Sequence, residues 1–167
     1  MLVRTEASTE FEWWFRASYS SVERTVFLVV GDRGRAEEIA QEAFVKMLQR
    51  WSAVRRYDRP DAWVRRVAVR MAVKSAKRER VRPEVERLAS KPDLDMPSLP
   101  DPDLAAAVAE LSPMQRAVVV LFYWEDNTVF DIARALEVSE STVKQHLFRA
   151  RARLATLLGE EVTDDVH

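Results

Sequence analysis

Five of the seven prolines fall at 83, 92, 97, 100 and 102. Proline lacks the N–H that a helix interior needs, and it drives the residue before it out of helical geometry. Val81–Asp103 also lacks any sustained apolar period. That stretch reads as a linker, so no regular element is expected to run through it. The 167 residues are thereby cut into segments 1–80 and 104–167 on either side of residues 81–103. Each outer segment is long enough for only a modest core.

Composition then removes whole classes of chemistry. There is no Cys, which excludes disulfide scaffolds, thiolate zinc sites and Cys nucleophiles. The only histidines are His146 and His167, so a histidine metal site or a Ser-His-Asp triad has almost nothing to build on. Three glycines, at 31, 34 and 159, supply no phosphate-cradling loop. The longest apolar run, Ala117–Trp124, has eight residues and is too short to span a membrane. Arg4, Glu6 and Glu10 at the N-terminus leave no apolar core for a signal peptide. The expectation is a soluble, cytoplasmic, non-enzymatic protein with no catalytic group, cofactor or metal.

A net charge of −1 looks uninformative until it is divided. Residues 1–80 carry +6, residues 81–103 carry −3, and residues 104–167 carry −4. Within the first segment, residues 62–80 alone hold seven basic side chains and one acid. Within the last, Lys144–Leu154 is +4 while Gly159–His167 is −4. Two short basic segments are hidden in a near-neutral chain, and local basic patches are the footprint of nucleic-acid binding.

Segment 1–80 reads as three helices. The first covers about 9–29, with Phe11, Trp14, Phe15, Val22, Val26 and Val29 at three- and four-residue steps. Gly31-Asp32-Arg33-Gly34 breaks it. The second has a clean stripe of Ala36, Ile39/Ala40, Ala43/Phe44, Met47/Leu48 and Trp51. Its other face carries Glu37, Glu38, Gln41 and Glu42. Two readings fit that face: a solvated surface near a helix N-terminus, where the dipole favours anions, or a docking surface for a basic partner. The third helix begins at Pro60-Asp61, with a stripe of Trp63/Val64, Val67/Ala68 and Met71/Ala72. Arg66, Arg70, Lys74 and Arg78 step by four along one side, beside Arg65 and Lys77. Like charges at this spacing repel by about 0.2–0.5 kcal/mol per pair, which a polyanion would relieve. Tyr57, Trp63 and Trp51 lie close in sequence, and aromatics interleaved with Arg hold single-stranded bases by stacking. The plainer reading of those residues is a solubilising face with the tryptophans in the core.

Segment 104–167 opens with a short apolar helix, Leu104–Leu111, stopped by Ser112-Pro113. Ser112 suits an N-cap and Pro113 the first helical position. The helix to about Trp124 is apolar nearly all round and is expected to be the most buried of a small bundle. A helix-turn-helix pattern follows. Ile132, Ala133 and Leu136 belong to its first helix, Glu137-Val138 to the turn, and Ser139 caps the second. Val138 and Val143 stand at hydrophobic-staple positions. Val143, Leu147, Ala150 and Leu154 face inward, which leaves Lys144, Gln145, Phe148, Arg149 and Ala152 outside. Such a face fits the major groove, where Lys and Arg bond guanine or phosphate, Gln reads adenine and an aromatic edge touches a thymine methyl. Phe148 breaks the polar face and suits either DNA or packing on a neighbouring helix.

These residues, in this order, resemble a bacterial sigma factor. The compact size is similar to the extracytoplasmic-function (ECF) group, which keeps only sigma domains two and four. Ala36-Glu37-Glu38-Ile39-Ala40-Gln41-Glu42-Ala43-Phe44 resembles the family's core-polymerase-binding helix. Pro60-Asp61-Ala62-Trp63-Val64-Arg65-Arg66-Val67-Ala68 resembles its promoter-melting helix, which also reads the −10 element. Leu111-Ser112-Pro113-Met114-Gln115-Arg116-Ala117-Val118 is similar to the opening of domain four, and Val138-Ser139-Glu140-Ser141-Thr142-Val143-Lys144 to that of the −35-reading helix.

The resemblance implies an all-α fold of two small helical domains, 1–80 and 104–167, joined by a flexible acidic linker. It implies that Glu37, Glu38, Gln41, Glu42 and Val45 meet the β′ coiled coil of core RNA polymerase. It places Arg55, Arg56, Tyr57, Trp63, Arg66, Arg70, Lys74, Lys77 and Arg78 at the −10 element of promoter DNA. Ser141, Thr142, Lys144, Gln145, Phe148 and Arg149 fall to the −35 element, and an apolar surface of domain four to the β flap. An anti-sigma factor, often membrane-anchored, is a further implied partner, with no membrane insertion by the chain itself. The competing reading is a stand-alone helix-turn-helix regulator, which has no need of an acidic helix beside an Arg-rich one. The sequence departs from the family at Arg70, where Asn is frequent, at Lys74, where Asp is frequent, and at His146, where Arg is usual. Glu137 stands where the turn usually holds Gly. A Glu at positive φ costs on the order of 1 kcal/mol, so the turn is expected to take a different geometry.

Overall fold

The computed structural model describes residues 2–81 and 101–159. Most of the linker and the acidic C-terminal stretch therefore lie outside the described residues. The described residues are helical with no strand. They form two compact units, divided between Pro92 and Asp93.

The first unit contains α1 (Leu2–Val30), α2 (Arg33–Gln49), α3 (Trp51–Val54) and α4 (Pro60–Val81). Helix α1 begins earlier than its apolar period suggested, because its first two turns lack strong core positions. Gly31 at φ 71° ends it, and the Asp32 carboxylate then accepts from the Arg35 N–H at 2.8 Å to cap α2. Helices α1, α2 and α4 pack on one another around Val22, Val26 and Val29, Ile39, Phe44 and Met47, and Val64, Val69 and Val73. Burying each such side chain contributes about 1.5–3 kcal/mol. Small residues (Ala36, Ala40 and Ala43 of α2, Ala68, Ala72 and Ala76 of α4) fill the seams and let helices approach closely. The expected α2 stripe is corrected at two places. Leu48 is 53% exposed, because Met47 alone of that pair points inward. Trp51 belongs to the separate short helix α3, where it is buried rather than offered to a base.

The second unit contains α5 (Pro102–Ala109), α6 (Pro113–Val119), a π-helical turn (Val120–Trp124), α7 (Val129–Leu136) and α8 (Glu140–Leu158). Helix α5 starts two residues before the expected Leu104, since Asp101 caps it and Pro102 fills its first position. Ser112 and Gln115 form a reciprocal capping box at α6, each bond 3.3 Å long. The core joins Val108 and Leu111, Val118 and Leu121, Ile132 and Leu136, and Val143, Leu147 and Ala150. The helix expected to be the most buried is buried continuously over Ala117–Leu121 but not to its end at Trp124. The Glu125 N–H reaches back five residues to the Val120 carbonyl at 3.1 Å, which widens the last turn. Tyr123 and Trp124 leave the core as a result and are exposed.

Candidate functional site

Three surfaces carry the residues that the sequence singled out. The first is the outer face of α2. Glu37, Glu38, Gln41, Glu42 and Val45 are all exposed, on the side opposite the buried alanines. Gln41 donates to Glu37 at 3.3 Å and Lys46 lies 3.9 Å from Glu42, so the acidic row is braced along the helix. Val45 and Leu48, each about half exposed, add an apolar strip beside it. Sequence reading assigned Leu48 to the core. The spacing 41, 45, 48 held the signal that it continues the outer face.

The second surface is the loop 55–59 and helix α4. Pro60 at the start of α4 is buried, and Arg59 grips Asp61 by two bonds of 3.0 Å each. That hydrogen bonding holds the Asp61 carboxyl below its ordinary 3.8 against the opposing effect of burial, with the Arg59 and Arg65 charges also helping. Arg65 reaches Ser21 of α1 at 2.9 Å and so turns inward, tying α4 to α1. The expected contact residues lie along one side of α4, with Trp63, Arg66 and Arg70 half-buried and Lys74, Lys77 and Arg78 exposed. Steps of three and four residues place Trp63, Arg66, Arg70, Lys74 and Lys77 in one row. Arg56 and Tyr57 stand exposed in the loop above it. Arg55 differs from them: Glu10 of α1 holds its guanidinium at 2.7 Å.

The third surface belongs to the helix-turn-helix. The backbone of Glu137 has φ 57° and ψ 44°. The expected different geometry is thus corrected: Glu137 takes the left-handed conformation that glycine would take, because the α7-to-α8 reversal requires it. Ser139 caps α8, accepting from the Thr142 N–H at 3.1 Å, and its hydroxyl also meets those of Ser141 and Thr142. Thr142 is half-buried, whereas Ser141, Lys144, Gln145, Phe148 and Arg149 are exposed and line one shallow groove. Phe148 is 67% exposed, so it is not packed on a neighbouring helix. Farther along α8, the Arg151 Nε donates to the Tyr123 hydroxyl at 2.6 Å, and its guanidinium lies 5.6 Å from the Phe122 and Tyr123 rings. Sequence reading did not foresee this cluster, because the π-helical turn that exposes it leaves no mark in an apolar run. No cluster of acidic and histidine side chains able to hold a metal occurs among the described residues. None of their helices is long and apolar enough to cross a membrane.

The pattern matches two family models, Sigma-70 region 2 over residues 14–82 and Sigma-70 region 4 over residues 103–154. The RNA polymerase sigma-E factor of Streptomyces avermitilis is 33% identical over 148 residues, covering 87% of this chain and 83% of that protein. The ECF RNA polymerase sigma factor SigM of Mycobacterium tuberculosis is 30% identical over 152 residues, covering 89% of this chain and 77% of SigM. This chain belongs to the ECF sigma factors. It is a transcription initiation factor, and its acidic and basic faces are faces of sigma regions two and four. The fold of this sigma factor is similar to that of RpoE from Bartonella quintana, solved with the anti-sigma factor NepR. That match has a TM-score of 0.72 at 21% identity and covers 92% of this chain and 99% of the other. CnrH, solved with the cytosolic domain of CnrY, matches with a TM-score of 0.60 at 21% identity, covering 95% and 96%.

Proposed function

We propose that this sigma factor binds core RNA polymerase and directs it to promoters by using all three surfaces at once. Glu37, Glu38, Gln41, Glu42 and Val45, joined by Leu48, meet the basic β′ coiled coil. Arg56, Tyr57 and Trp63 face the melted −10 element, and Arg66, Arg70, Lys74, Lys77 and Arg78 hold its phosphates, with Arg55 at the root of the loop. Arg at 70 and Lys at 74 favour phosphate contact over a base pocket. Ser141, Thr142, Lys144, Gln145, Phe148 and Arg149 read the −35 duplex in the major groove. Residues 1–80 and 104–167 act as sigma domains two and four with 81–103 as a linker, and an apolar surface of domain four docks on the β flap. The protein supplies contacts in the cytoplasm, on the nucleoid, and the polymerase supplies the chemistry. An anti-sigma factor is a natural regulator, as in the complexes of similar fold.

The observation that carries this reading is the coexistence on one chain of an exposed acidic face and two exposed basic faces, each on its own helix. A regulator acting alone needs one basic face. The test is transcription reconstituted with core enzyme on a genomic library. Discrete starts that require this protein are expected. Absence of such starts, together with nanomolar operator binding by the isolated protein, would replace the reading with a stand-alone regulator.

A further inference from the structure

The turn of α1 around Ala7–Phe11 touches α3 and the loop after it in three ways. The buried Trp51 indole donates to the Ala7 carbonyl at 2.8 Å. The Phe11 and Trp51 rings meet edge to face at 5.5 Å. Glu10 holds Arg55 at 2.7 Å. An indole N–H removed from water needs an acceptor, and Ala7 supplies it from a carbonyl 44 residues away in the chain. Behind the loop, Arg59 and Asp61 fix its other end to the first turn of α4. Arg55 and Arg59 are thus both engaged, and the residues left standing outward between them include Arg56 and Tyr57.

We infer that Glu10 is a positioning residue for the promoter-reading loop, holding Arg55 as a strut so that Arg56 and Tyr57 are presented at a fixed height. This rests on the proposed −10 role of that loop and deepens it. A lone half-exposed ion pair contributes little. Here it closes a three-point clamp whose other two points are buried or aromatic, and geometry rather than stability is what it controls. Held this way, Arg55 is not a direct phosphate ligand. The two roles make opposite statements about Glu10. If Arg55 bound phosphate, Glu10 would compete with DNA and its removal would strengthen promoter binding. If Arg55 is a strut, removing Glu10 weakens opening.

The experiment uses the full chain with core polymerase and a promoter selected from the genomic library by dependence on the wild-type protein. Open complexes are measured by permanganate reactivity of unpaired thymines, and core affinity is measured separately. Glu10→Ala is expected to lower open complexes about three- to tenfold with core affinity unchanged. The exchange Glu10→Arg with Arg55→Glu should restore at least half of the wild-type level, which also controls for misfolding of the single variant. Arg55→Ala should reduce opening without changing its salt dependence, whereas loss of a phosphate ligand would lower the slope of log K against log salt by about 0.7. Glu10→Ala at or above wild type, or an exchange variant no better than Glu10→Ala, overturns the proposal. If the wild-type protein selects no promoter at all, the promoter-binding reading fails and the strut falls with it.

Discussion

At Glu137 the backbone adopts φ 57°, a conformation that costs an L-residue with a Cβ on the order of 1 kcal/mol. Replacement by glycine removes that cost. Glu137→Gly is expected to raise the melting midpoint of the second unit by roughly 4 °C, measured by differential scanning calorimetry. Asp61 offers a test in pH. Its pKa is depressed in the folded protein, so its contribution is present above the ordinary carboxylate range and is lost as pH falls through the folded value. Urea titrations of wild type and Asp61→Asn should differ by a constant amount from about pH 5 to 7 and converge in stronger acid. A stability difference that stays constant down to pH 2 would contradict the role given to the Arg59 fork. Residue-level detail is also where sequence was least legible. Pairing of Glu10 with Arg55 joins residues 45 positions apart on different helices, and no local period carries it. Leu48 looks like core because the same stripe holds adjacent buried pairs, Ile39/Ala40 and Ala43/Phe44, whereas at 47/48 only Met47 faces inward.

Elements were far more legible than residues. The Ser112 and Ser139 caps lie where side-chain chemistry put them, because a short oxygen acceptor at a helix start answers a local need for unpaired N–H groups, while the Asp32 cap of α2 was hidden in what reads only as a helix break. The inward stripe of α8 followed from steps of three and four residues and left the groove of Lys144, Gln145, Phe148 and Arg149 by subtraction. The π-helical turn was invisible, since an all-apolar segment has no polar face to betray a change of register. The proposed reading divides function between helices, and variants can test that division. The double change Lys144→Ala/Arg149→Ala is expected to abolish −35-dependent transcription with core affinity intact, read by run-off assay and core-binding titration in parallel. Glu38→Lys on α2 should do the reverse, losing core binding while the protein's contact with −35 duplex persists. Equal core affinity in that variant would remove Glu38 from the interface.

For the molecule as a whole, near-zero net charge was the least informative number and its division the most informative. Basic character sits in α4 and α8, acidic character on the outer face of α2, at Glu37, Glu38 and Glu42, and in the stretches 81–103 and 159–167. Two cores of this size are each only marginally stable. They share no core residue by sequence, so a buried change should be felt locally. Ile132 is fully buried in the second unit, and Ile132→Val costs about 1 kcal/mol there. Calorimetry should show one transition lowered by about 4–8 °C and the other unmoved. A single transition shifted as one block would show that the units unfold together.

The outward turn at the end of the π-helical segment has an optical consequence. Four of the five tryptophans, at 13, 14, 51 and 63, belong to the first unit, and Trp124 is the only one after the prolines. Trp124 is 43% exposed, so it should emit at long wavelength and be open to iodide. Subtracting the spectrum of Trp124→Phe from that of the native chain isolates this one fluorophore. A partner that covers this side of the second unit then announces itself as a blue shift and a loss of quenching, without any attached dye.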